Sequence, residues 1–134
     1  MANATTEAGR ACKAHGFSRA VAVKAGVKIY QGAMVGIDNA SGYAVVGGTG
    51  QNNKVIGIAA RTADNTSGTD AAISVIVESG IYLFPAVSAD VPIIIDGAVY
   101  AADDSTIKKT QGTSPAAGIL FEIDQEGLWV KLGY

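Results

Sequence analysis

Punctuation constrains this chain more than any other feature. From about residue 20 onward, short apolar runs such as KVIGIAAR, AAISVIVESG and LWVKLGY are separated by clusters of Gly, Asn, Asp and Ser. No stretch keeps the 3.6-residue period of a long helix, and Val and Ile dominate the runs. DNASG at 38–42 and DNTSGTD at 64–70 carry turn chemistry, because Gly and Asn tolerate positive φ, and each reads as the loop of a hairpin. SPAAGILFEID, QEG and LWVKLGY close the chain as a final hairpin in which Trp129 belongs to the core. STIKKT reads as a short polar strand exposed on both faces, and VPIIIDGAVYAAD as a strand with Pro92 near its start. The fold class is all-β: a compact barrel, tulip-like or sandwich domain over residues 19–134, preceded by an extended arm over residues 1–18.

The Gly content, 17 of 134 residues, raises a second possibility. GAMVGID at 32–38 is answered by GAVYAAD at 97–103, and Gly57-Ile58 by Gly118-Ile119. ISVIV from Ile73 is answered in turn by LWVKL from Leu128. The order is kept, while the spacing shrinks from 65 to 61 to 55 residues. Such words are common in β proteins, so a duplicated unit and chance convergence both account for them. In either case the glycines mark places where strands bend or approach closely.

Charge is scarce, at 16% of residues against roughly 25% in an average soluble protein, and it is unevenly placed. Residues 1–28 carry Arg10, Lys13, Arg19, Lys24 and Lys28 against Glu7 alone, a balance of +4, and the other 106 residues sum to −6. A basic arm on an acidic body is expected to meet an acidic partner surface. With Phe17 its one aromatic before residue 30, the arm lacks the interleaving of basic and aromatic residues that binds nucleic acid, so a protein surface is the expected partner. No apolar run reaches the length of a membrane-spanning helix, and the first residues lack the apolar core of a signal peptide, so neither a membrane nor export is expected.

Chemistry is sparse. Cys12 and His15 are the sole cysteine and histidine, three residues apart in CKAH, and two ligands on a helical turn fall short of a metal site. Asp103-Asp104 reads as a turn in which Asp caps backbone N–H groups. VVGGTGQNNK misses the spacing of phosphate and dinucleotide loops. The expectation is therefore a non-enzymatic protein with no catalytic residue, no metal and no cofactor. Two segments, IYLFPA at 81–86 and IIID at 93–96, are apolar on both strand faces, more than one small core needs, and at least one is expected against another subunit. Their side chains Tyr82, Phe84, Ile93 and Ile95 join the five front cations as candidate interface residues.

The progression from AVKAGVKIYQGAMVGID through GYAVVGG, VIGIAAR and GIYLFP to DGAVYAAD and AAGILFEID resembles the small head decoration, or capsid cement, proteins of tailed phages. The likeness covers residues from about 20 to 134 and rests on a loose rhythm of Gly and apolar residues. Gly97-Ala98 stands where Gly-Asp is common in that family. The resemblance implies a compact β-barrel or β-tulip domain on the outer surface of the mature capsid, commonly a homotrimer at local threefold positions. It also implies the major capsid protein as partner, synthesis in the host cytoplasm, and an N-terminal segment reaching over neighbouring capsid subunits. A tail or fibre module that binds a receptor, and a small barrel-type enzyme or ligand-binding domain, are the alternatives.

Overall fold

The computed structural model describes residues 3–48 and 52–133. The regular elements among them are strands: β1 (Cys12–Ala22), β2 (Lys28–Ile29), β3 (Met34–Asp38), β4 (Ala44–Val46), β5 (Asn52–Ala59), β6 (Ala63–Asp64), β7 (Ser74–Phe84), β8 (Ala98–Ala101), β9 (Ile107–Lys108), β10 (Ala116–Asp124) and β11 (Gly127–Leu132). The domain is all-β, as its punctuation predicts. Nine strands form one sheet in the order β4-β3-β5-β7-β11-β10-β8-β9, with β1 on the free edge of β7, and β2 pairs with β6 separately. A parallel contact between Lys54 and Ala116 joins β5 to β10, so that β5, β7, β11 and β10 close a partial ring.

That order is one unit laid down twice. In the first copy β4 pairs β3, β3 pairs β5, β5 pairs β7 and β7 pairs β1. In the second, β9 pairs β8, β8 pairs β10, β10 pairs β11 and β11 pairs β7, so β7 ends one copy and opens the next. Parallel bridges repeat as well, Val23 to Ala44 and Ala86 to Ile107. Gly57 and Gly118 occupy the same place in the two copies, whereas GAMVGID and GAVYAAD lie one residue out of the structural register. Gly32 N–H donates to Ala59 O at 2.9 Å, and the equivalent donor is Asp96, to Leu120 O at 2.7 Å. Both have positive φ, 83° and 65°. Glycine supplies that conformation in one copy, and aspartate, which tolerates it better than most residues, in the other.

Two cores result. Tyr82, Phe84, Leu120 and Val130 centre one, and Val23, Ile29, Val75 and Val77 the other. Neighbouring residues Met34 and Val35 enter different cores, because consecutive strand side chains point to opposite faces. Along β7 the buried positions switch from odd (Val75, Val77) to even (Tyr82, Phe84) across Ser79-Gly80, where the strand passes from one core to the other. Its partner β1 bulges opposite this point, between His15 and Ser18.

Four expectations need correction. The arm is not separate through residue 18, since β1 begins at Cys12 and pairs along β7 from Tyr82 to Ser74. Its Ala and Gly content hid a strand whose pairing is long-range and broken by bulges. Tyr82 and Phe84 are each 1% exposed and belong to a core, so they are not interface residues. IIID is not a strand: residues 93–96 form a loop and turn, with Ile94 O accepting from Gly97 N–H at 3.0 Å. STIKKT is not exposed on both faces either, because Ile107 is fully buried.

Candidate functional site: two exposed apolar patches

The front cations are for the most part used within the chain. Arg10 lies 4.5 Å over the Phe84 ring and donates from Nε to Gly32 O at 3.2 Å. Burial lowers its pKa, while Asp104 nearby raises it. Lys13 sits 5.0 Å over the Trp129 ring and 3.3 Å from Glu122 Oε2, and Trp129 Nε1 donates to Asp124 Oδ2 at 2.8 Å. Lys24 pairs with Asp38 at 3.3 Å. A hydrogen bond from Ser41, with Lys24 alongside, holds the Asp38 carboxyl below its ordinary range despite burial. Lys28 pairs with Asp64 at 3.9 Å and lies 4.8 Å over the Tyr30 ring. The opposite charges of front and body thus meet inside one molecule. Arg19 alone of the five has neither an ion pair nor a ring contact among the described residues, and it is exposed.

The residues before β1 lie along the body. Ala4 N–H donates to Asp104 Oδ1 at 2.8 Å, and Asp104 N–H to Asn3 Oδ1 at 3.2 Å. Ala8 N–H donates to Gln31 O at 3.1 Å, and Leu83 N–H to Ala11 O at 2.8 Å. Asp103 and Asp104 are both buried, and the Oδ2 atom of each has no hydrogen-bond partner among the described residues. Burial raises the Asp104 pKa, opposed by hydrogen bonds from Ala4 and Ser105. The turn expected at 103–104 does form, with Asp103 Oδ1 accepting from Ser105 N–H at 2.8 Å. The loop at 64–70 is organised by buried Asn65, whose Nδ2 donates to Val23 O, Lys24 O and Thr69 O. The CKAH pair lies on β1, not on a helical turn, and Cys12 packs against the first core; the His15 side chain lies outside the described residues, as does part of the GGTG loop.

Among the described residues eight large apolar side chains are exposed, and apart from Ile76 and Val91 they fall in two places. Phe17, 77% exposed, borders with Arg19 an open groove of about 390 Å³ floored by Ile56, Val77 and Gly133. Ile93, Ile94 and Ile95 form the second patch, with Ile93 at 68%. The hydrogen bond from Asp96 N–H to Leu120 O lays this loop beside β10, where Phe121 and Ile123 are also exposed. Phe121 is the extra residue of a bulge between the pairs Leu120–Val130 and Glu122–Trp129, which leaves it without a cross-strand partner. Of the residues expected at an interface, Ile93 and Ile95 are exposed, and Phe17, Ile94, Phe121 and Ile123 are further exposed apolar side chains that alternation alone does not give.

No family model, curated protein or solved structure matches this chain.

Proposed function

We propose that this protein is a non-enzymatic decoration, or cement, protein of a tailed-phage head, which binds the outer surface of the expanded capsid as a homotrimer and stabilises the shell. The observation that carries the reading is the placement of large apolar side chains outside two finished cores, at Phe17 and at Ile93–Ile95 with Phe121 and Ile123. Apolar surface gathered in patches on a small domain is a mark of protein partners. The sequence resemblance supplies the partner class, the major capsid protein. A ligand that binds the expanded shell and not its precursor adds its binding free energy to the mature state alone. Repetition over a lattice converts modest contacts into retention.

Co-sedimentation of the purified protein with expanded and unexpanded shells of its cognate phage tests the reading. Retention on expanded shells only is expected. Equal retention on both, or on neither, overturns it, and binding to a glycan array instead would favour a tail or fibre module.

A further inference from the structure

The two copies of the repeat differ in one respect that bears on self-association. In the first copy, Ile29 on β2 is fully buried in the second core, and β2 pairs with β6, with Ile29 opposite Ala63 and Lys28 opposite Asp64. The paired strand is part of the excursion between β5 and β7, residues 60–73. In the second copy the corresponding link, between β10 and β11, is a turn containing only Gln125 and Glu126. Counted back from Gly32 and Asp96 the residue in the place of Ile29 is Ile93, and counted on from Val23 and Ala86 it is Pro92. Pro92 is buried and Ile93 exposed, beside a shallow groove of about 160 Å³ lined by Pro92, Ile94 and Lys109. The second copy therefore keeps the apolar segment and lacks the short strand that pairs beside it.

We infer that this segment, Ile93–Asp96, is covered by a second copy of the chain, which contributes the outer edge of its β1 around Phe17–Arg19. Three observations select that occupant. The first copy shows what fits the position, an extended strand. Among the described residues β1 pairs with β7 alone, so its far edge carries no ladder, although at Phe17 the backbone N–H and O are both taken by Ser79 Oγ. The charges are complementary too: Arg19 and Asp96 are both exposed, neither has an ion pair among the described residues, and each adjoins the apolar side chains to be buried. Phe17 and Ile93 supply the apolar contact, and Arg19 with Asp96 fixes its direction.

The donor and acceptor patches lie on different elements and their grooves share no residue, so the contact runs head to tail. Each copy keeps one free donor and one free acceptor until a ring closes. The contact does not depend on shell binding, and free protein in solution tests it separately from the shell experiment.

The experiment uses two full-length variants, Phe17→Ser without the donor and Ile93→Ser without the acceptor. Both positions are exposed, and melting within a few degrees of the parent checks that each folds. In sedimentation velocity the parent should form a closed oligomer and each variant alone should be monomeric. An equimolar mixture should give a one-to-one dimer and nothing larger, since only one productive contact remains. Arg19→Ala should weaken parental assembly by up to about fivefold and remove its salt dependence, as expected for one exposed ion pair. A parent that stays monomeric at every concentration, a Phe17→Ser chain that assembles normally, or a mixture no larger than its components would each overturn the inference.

Discussion

Gly118 on β10 gives the sharpest stability test of the repeat. A Cβ at this position would lie 1.9 Å from Lys131 O on β11, about 1 Å inside the 3.0 Å at which side-chain carbons meet other atoms. Gly57, its counterpart on β5, stands similarly against Glu78 O of β7, at 2.5 Å. Gly118→Ala must therefore push two paired strands apart. Overpacking costs about 1–3 kcal/mol, and each ladder hydrogen bond lost adds about 1 kcal/mol. A total of about 3–4 kcal/mol is a large part of the 5–15 kcal/mol that stabilises a typical domain, and corresponds to a fall of roughly 10 °C in Tm. Gly112→Ala is the control, because φ there is +54° but no atom lies within 4 Å. It should cost about 1–2 kcal/mol, the left-handed penalty alone. Thermal melts of the two variants and the parent decide the matter. If Gly118→Ala melts no lower than Gly112→Ala, the close approach of β10 and β11 is wrong, and with it the reason for a glycine at this place in both copies.

Three further outcomes follow from the packing of the front segment. Arg10→Ala loses the stacking on Phe84 and a charged hydrogen bond to Gly32 O, and should lower stability by about 2–3 kcal/mol in denaturant titration; Arg10→Lys should recover part of this. Asp104 has a raised pKa in the folded protein, so the folded state holds the extra proton between the ordinary carboxylate value of 3.8 and that raised value, and its ionisation above it is destabilising. Asp104→Asn should therefore exceed the parent in Tm at pH 7, with the difference shrinking as the pH is lowered toward 4; a gain that grows on acidification would contradict the burial argument. Deleting residues 2–18, which removes Arg10, Lys13 and the first seven residues of β1, should abolish or severely lower the cooperative melt; an unchanged melt would show the segment to be a true appendage.

Much of the strand pattern was legible because it depends on local chemistry. DNASG does close the β3–β4 turn, with Gly42 N–H donating to Asp38 O at 2.8 Å, and LWVKL does pair back on the strand before it. Trp129 is buried as its alternation implies. The repeat was visible as words, but its register was not, since Gly32 and Asp96 are interchangeable at a positive φ and unlike as letters. β1 was hidden because its pairing is with residues some 60 positions away, and two bulges break its alternation. The front cations showed as a net charge, whereas their ion pairs with Glu122, Asp38 and Asp64 depend on the tertiary fold. Ile93–Ile95 look like a buried strand in sequence, but among the described residues they stay exposed, and the short β10–β11 turn holds no counterpart of β6.

The most direct test of the central claim is calorimetry of expanded cognate shells with and without saturating protein. Binding confined to the mature shell raises the temperature of shell disruption in proportion to the logarithm of free protein concentration, and leaves the precursor shell unchanged. A rise for the expanded shell alone is the expected result. An expanded shell that disrupts at the same temperature with and without the protein would contradict the account.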